Sequence, residues 1–192
     1  MNPTDSKKLL FQYFLDHVYQ YRETPFTLAS GKTSKHYFNC KEITLHPLRM
    51  NVLLDYIVDF FLPKHFPVLE AVGGLTLGAD ALTYGISGRL ANQGKLVFPL
   101  VVRKEAKDHG TGKKIEGNLT GVKSCLVLED VVTTGGSSIK AIDALRDAGI
   151  RVDSVLCILD RQEGGEEMLK EKKVKLYSIF QKSDFMKSQD DL

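Results

Sequence analysis

A chain of 192 residues, 43% hydrophobic and 26% charged, has the composition of one globular domain rather than of a disordered or fibrous protein. Its formal net charge of +2 gives no reason to expect a nucleic-acid partner through bulk electrostatics, so any functional charge must be local. The three cysteines, Cys40, Cys125 and Cys157, are odd in number and far apart, which argues against a disulfide framework or a cysteine-based zinc site. The polar stretch Met1 to Lys8 lacks a signal-peptide core, and no apolar run approaches the ~18 residues of a membrane span. A cytoplasmic protein with no membrane partner is the expectation.

In chain order, Ser6 to Gln20 carries Leu9, Leu10, Tyr13, Phe14, His17 and Val18 at helical spacing, which puts His17 on the apolar face as a core or rim residue. Phe26 to Asn39 reads as two short strands around a Ser/Gly/Lys turn. Its Gly31-Lys32-Thr33 is not a nucleotide phosphate loop, because that motif needs a glycine where Phe26 stands. Pro47 suits the first turn of a helix over Leu48 to Leu62, which Pro63 and Pro67 end. Leu69 to Val72 predicts a buried strand, Gly73 to Gly78 a glycine turn, Ala79 to Leu90 a helix and Leu96 to Val102 another strand.

Arg103 to Gly117 then loses all periodicity. From Arg103 to Lys114 five Lys/Arg stand against two Asp/Glu, and the glycines mark a loop long enough to act as a lid. Cys125 to Leu128 is a strand-length apolar run that ends on the adjacent acids Glu129 and Asp130. Two threonines, two glycines and two serines follow, before a helix over Ser138 to Ala148. A strand at Val152 to Leu159 leads into Asp160 to Gly165, a helix at Glu166 to Lys173 and a final strand at Val174 to Phe180, with Lys182 to Leu192 a less defined polar tail. This alternation predicts an α/β fold: an open, mostly parallel sheet with helices on both faces, plus a small N-terminal helix/strand hood. Residues 1–45 would form the hood and 46–192 the core of a single domain. In such a sheet the loops after strand C-termini share one edge, so Gly73–Gly78, Arg103–Gly117, Glu129–Ser137 and Asp160–Gly165 should converge.

A strand, a polar Gly-rich turn and a helix make a phosphate cradle from inward backbone N–H groups and a helix N-terminus. The acidic pair at its mouth repels phosphate and needs another partner: ribose hydroxyls, hydrated Mg²⁺ or both. With a second glycine turn and a basic loop for a polyphosphate, the parts describe a phosphorylated ribose carrying an activated pyrophosphate. Displacement of that pyrophosphate passes through an oxocarbenium-like transition state, with charge building on the leaving group.

Val127-Leu128-Glu129-Asp130-Val131-Val132-Thr133-Thr134-Gly135-Gly136-Ser137 resembles the phosphoribosyl pyrophosphate (PRPP) motif of the type I phosphoribosyltransferases. Within that family, Arg103-Lys104-Glu105-Ala106-Lys107-Asp108-His109-Gly110 is similar to the flexible catalytic loop of the orotate-specific branch. Phe26 to Asn39 and Leu159-Asp160-Arg161-Gln162-Glu163 match that branch too, in the same order and spacing.

The resemblance implies a transfer of phosphoribosyl from PRPP to orotate with Mg²⁺, in pyrimidine synthesis, by a homodimer whose basic loop closes over the neighbouring subunit. Glu129 and Asp130 would hold the ribose hydroxyls directly or through Mg²⁺ waters, without a direct metal ligand. Val131, Val132, Thr133, Thr134, Gly135, Gly136 and Ser137 would hold the 5′-phosphate, with Thr133 also near orotate. Arg103, Lys104, Lys107 and His109 would meet the pyrophosphate, Lys107 stabilising its charge as it departs. Arg161 would pair with orotate, and backbone at Tyr37 and Phe38 would line the base pocket. Ala29 and Leu77 stand where some members have substrate-binding lysines, a role left to Lys32 or to the backbone of Gly73 to Gly78. The alternatives are a phosphoribosyltransferase for another base and a non-catalytic PRPP-sensing regulator.

Overall fold

The computed structural model describes residues 2–27, 33–105 and 114–190, with side chains as far as 186. Helix α1 (Pro3–Tyr13) starts on an Asn2 cap and runs into a wider π-helical turn at Phe14–Val18. That turn advances the register, so Phe14 and Val18 are buried while His17 is exposed, contrary to the helical-wheel expectation. Strand β1 (Tyr19–Thr27) pairs antiparallel with β2 (Thr33–Phe38), and α2 (Lys41–Thr44) leads to α3 (Pro47–Tyr56), a second π-turn and α4 (Leu62–His65). Proline opens α1 and α3 because a first-turn N–H has no acceptor within the helix, so no helical hydrogen bond is lost.

The core is a six-stranded sheet in the order β5-β4-β3-β6-β7-β8. It comprises β3 (Ala71–Leu75), β4 (Phe98–Val102), β5 (Ile115–Glu116), β6 (Leu126–Val132), β7 (Ser154–Asp160) and β8 (Lys175–Gln181). All pairings are parallel except the short edge strand β5, which runs antiparallel to β4. The expected open sheet is therefore present, with one strand that the charged sequence around it had hidden.

Strands buried on both faces read as unbroken apolar runs, and period-2 alternation divides their side chains. Leu126, Leu128, Leu156 and Ile158 join the cluster with the hood, α3 and α5 (Asp80–Asn92). Val127, Val155 and Cys157 join the other, with α6 (Gly136–Asp147) and α7 (Gly165–Glu171). All three cysteines are free and buried. The tail forms a helix, α8 (Lys182–Asp190), fixed because Phe185 is fully buried and stacks on Phe11 and Phe14. No helix among the described residues is long and apolar enough to cross a membrane.

Candidate active site

Parallel pairing brings the C-terminal ends of β3, β4, β6 and β7 to one edge, and the chemistry-bearing segments leave the sheet there. Strand β6 is longer than its apolar run suggests: Glu129 pairs with Cys157 and Val131 with Leu159, so the acids belong to the last turns of the strand pleat. Consecutive strand residues point to opposite faces. Both carboxylates nevertheless return to one place, Gly78, where an added Cβ would lie 2.7 Å from Glu129 Oε1 and 2.8 Å from Asp130 Oδ1. A side chain there would push the two carboxylates aside, so glycine lets the β3–α5 turn sit close without displacing them.

Glu129 is 5% exposed, and Ser138, inside the first turn of α6, donates to its Oε2 at 3.3 Å. Burial, then the charge of Asp130, pushes the Glu129 carboxyl up to about 8 against the smaller opposing effect of Ser138. Burial also raises Asp130, opposed by the Val131 N–H at 2.8 Å and by the charge of Lys41. Two carboxyls held above their usual range favour partners that donate hydrogen bonds to them or neutralise them.

Beyond Val132 the chain turns through Thr133, Thr134 and Gly135 into α6. Gly135, the residue before the helix, has φ 79°, a conformation that favours glycine. Val131 to Ser138, with Lys140 at the rim, line a pocket of about 280 Å³ at the α6 N-terminus. The adjoining β7–α7 turn closes on it. A Cβ on Gly165 would lie 2.4 Å from Val132 Cγ1 and 2.7 Å from the Thr133 carbonyl. The tight approach of α7 to the β6–α6 loop backbone therefore depends on the second glycine of Gly164-Gly165.

Arg161 is tied to the same loop by its N–H, which donates to the Val132 carbonyl at 2.9 Å. Its side chain is 8% exposed. Nη2 lies 2.8 Å from Glu163 Oε1, but not in hydrogen-bonding alignment, and Nε and Nη2 are buried without a hydrogen-bond partner. Beside it Asp160 is raised by burial, against the Gln162 N–H that donates to it at 2.8 Å. The following Gln162 takes φ 55°, a left-handed backbone unusual for a side-chain-bearing residue.

Of the β2 residues, His36 feels the charge of Arg161. Burial, then the charges of Lys182 and Arg161, lower the His36 imidazole, whose Nδ1 is 2.8 Å from the Tyr19 hydroxyl. Tyr37 stacks on Phe26, and Phe38 packs on Tyr19 and Phe185.

On the β4 side the ends of the basic segment are clamped. Arg103 N–H donates to the Lys114 carbonyl at 2.9 Å, and Arg103 Nη1 lies 3.6 Å from Glu116 Oε1. Lys104 is exposed. Lys107 and His109 lie outside the described residues, as do Ala29 and Lys32. Gly73 and Gly74 are strand residues rather than part of the turn, because a Cβ on either would strike the Leu100 or Leu128 carbonyl of a flanking strand. The turn proper is Thr76 to Ala79. Thr76, Ser138 and Gly165 fall in segments that the sequence marks out, but it gives none of them a role of its own, because their contacts are tertiary.

A doubly wound sheet with this acid-and-threonine loop, a glycine turn and a clamped basic segment at one edge defines a type I phosphoribosyltransferase fold. No family model matches the sequence. The chain is 55% identical over 176 residues to the orotate phosphoribosyltransferase of Leptospira biflexa serovar Patoc, spanning 92% of this chain and 95% of that protein. It is 42% identical to the orotate phosphoribosyltransferase of Nostoc sp. over 173 residues, 90% of this chain and 82% of that one. Among solved structures, it resembles Mycobacterium tuberculosis orotate phosphoribosyltransferase in complex with PRPP, with a TM-score of 0.70 and 26% identity across 93% of this chain and 98% of that one. The chain belongs to the orotate phosphoribosyltransferase family.

Proposed function

We propose that the chain transfers the 5-phosphoribosyl group of PRPP to orotate, giving orotidine 5′-monophosphate and pyrophosphate in pyrimidine synthesis. The observation that carries the acceptor is Arg161, a buried guanidinium ion-paired to Glu163 but with Nε and Nη2 making no hydrogen bond, and its backbone fastened to the phosphate loop. Buried donors without partners are costly, and a planar fork suits a carboxylate held in two hydrogen bonds. Glu163 Oε1, 2.8 Å from Nη2, already balances the charge, so it is the unmet hydrogen bonds that point to the acceptor: a neutral base offers no second carboxylate to take them.

In this reading the 5′-phosphate sits in the Thr133–Ser137 pocket, with Val131 and Val132 forming its wall. Glu129 and Asp130 accept from the ribose hydroxyls and favour the positive charge that develops on the ribose. The Thr76–Gly78 turn faces the pyrophosphate. Arg103, Lys104, Lys107 and His109 draw charge toward it, Lys107 most as the glycosidic bond breaks. Thr133, Arg161 and the backbone of Tyr37 and Phe38 hold orotate. Among the described residues no cluster of three or more ligating side chains is present. The two buried carboxyls side by side at Gly78 fit a Mg²⁺ ligated by substrate oxygens and water, with Glu129 and Asp130 reaching it through those waters. Bound there, the ion would neutralise pyrophosphate charge.

Residues 1–45 act as a hood over a 46–192 core in one domain, in the cytoplasm. A homodimer is supported by exposed apolar residues beside the site: Leu45, Leu48, Leu77 and Tyr84. Helices α3 and α5 run in register, with Met50 and Leu54 beside Gly85 and Asp55 paired with Arg89, which carries these residues toward one end.

The test is loss of orotate absorbance in the presence of PRPP and Mg²⁺. Turnover is expected, and Arg161→Ala should raise the orotate KM by roughly thirtyfold or more with the PRPP KM little changed. PRPP binding without turnover on orotate would overturn the proposal in favour of a regulator. Turnover only with another base would reassign the acceptor.

A further inference from the structure

The β3–α5 turn offers a pyrophosphate no cation of its own. Its most exposed residue among those with large apolar side chains is Leu77, at 74%. What remains is backbone N–H and one hydroxyl. Such groups recognise an anion well only if they are held in place before it arrives. Besides its own backbone bonds, Ala79 N–H to the Leu75 carbonyl at 3.3 Å and Asp80 N–H to the Leu77 carbonyl at 3.2 Å, three tethers hold this turn. Thr76 N–H donates to the Val102 carbonyl at 2.9 Å, joining the turn to the end of β4 just before Arg103. Gly78 is seated against the two carboxylates of β6. Thr76 Oγ1 donates to Asp80 Oδ2 at 2.8 Å, spanning the turn to the first residue of α5. Only this last tether is made by side chains alone.

On charge, Asp80 is an unexpected residue beside a polyanion. The positive end of α5 offsets it in part. Its Oδ1 is buried without a partner among the described residues, as is Thr83 Oγ1 one turn further on. The carboxylate is therefore not there for an ion pair within the described structure; the partner it has is the Thr76 hydroxyl.

We propose that Asp80 is a positioning residue for the pyrophosphate half of the substrate: it holds Thr76 and so sets the backbone of Leu77 and Gly78 before binding. Preorganised amides thereby do in this turn what a cation would otherwise do. The inference rests on the pyrophosphate-side reading of this turn.

Titration calorimetry with inorganic pyrophosphate and Mg²⁺, alongside steady-state kinetics, tests it. Asp80→Ala and Thr76→Val should each weaken pyrophosphate binding and raise the PRPP KM by about tenfold, the scale of one lost hydrogen bond to a charged group. The orotate KM should stay near its wild-type value. The double variant should be no worse than either single one, because both delete the same bond. Asp80→Asn keeps an acceptor and removes a negative charge, so its affinity should equal or exceed that of the wild type. Additive losses, or an Asp80→Asn variant as weak as Asp80→Ala, would overturn the assignment. If Asp80→Ala unfolds early, Thr76→Val against Thr76→Ser gives the same contrast with the carboxylate intact. A wild-type chain that bound no pyrophosphate would overturn the reading of the turn itself, not the tether.

Discussion

The two loops on either side of the acidic pair are built in opposite ways. The β6–α6 loop is made of backbone, held by a left-handed Gly135, a helix N-terminus and the close approach of Gly165. Among the described residues Lys140, at the rim, is the one cation lining its pocket. The β3/β4 side has a turn without a cation and, next to it, a segment crowded with Lys and Arg whose ends are clamped at Arg103 and Lys114. On the proposed reading, the contrast follows from what each end of the substrate undergoes. A 5′-phosphate is unchanged by the reaction, so a rigid cradle can bind it equally throughout. Pyrophosphate gains charge as it leaves, and donors that meet it then raise the rate rather than the affinity alone.

If that contrast is correct, variants on the two sides should fail differently. The largest effect belongs to Lys107→Ala, which should lower kcat by about 10²–10³, the scale of a lost charge-stabilising donor, with PRPP affinity changed less. Single-turnover measurements check it; an unchanged chemical step would remove Lys107 from the mechanism and the contrast with it.

Gly165→Ala should fail the other way. Its methyl group would enter the space of Val132 Cγ1 and the Thr133 carbonyl. The chain must shift there at a cost of about 1–3 kcal/mol, typical of overpacking. The PRPP KM and the affinity for inorganic phosphate should suffer while the rate of the chemical step survives. A variant that lost the chemical step but kept phosphate affinity would show that the cradle is not a separate, uniform binder.

How much of this could be read beforehand differs in the same way. Local order is legible: the apolar runs of β6 and β7 and the Thr-Thr-Gly-Gly turn carry their own period and punctuation. Residues that act through distant neighbours are not. Gly165 looks like any helix-opening glycine until Thr133 is packed on it. Asp80 looks like a helix-cap acid until Thr76 is seen bonded to it. His17 was misplaced because a π-turn changes the period that the helical pattern assumes. β5 was missed because two residues between charges carry no periodicity. The tail became a helix through one tertiary anchor, Phe185.

The smallest expected effect concerns the acids that both loops share. Burial and Asp130 push Glu129 from 4.5 to about 8, so between those values the folded chain keeps a proton that the unfolded chain has released. The folded state binds more protons there, and stability must fall as pH rises through that window. Asp130 and Asp160 remain in both proteins, so comparison with Glu129→Gln isolates one group. At pH 4.5 the two should melt together. At pH 8 the variant should be more stable by at least ~1 kcal/mol, or roughly 2–4 °C in Tm for a chain of this size, while binding PRPP more weakly because an amide cannot become the anion that ribose hydroxyls and hydrated Mg²⁺ favour. Stability and binding would then move in opposite directions on one substitution. That is the expected mark of a carboxylate whose burial is tolerated for the ligand. Parallel melting curves at both pH values would mean that Glu129 ionises freely in the folded protein, and the acidic pair would join the rigid cradle as a structural part of it.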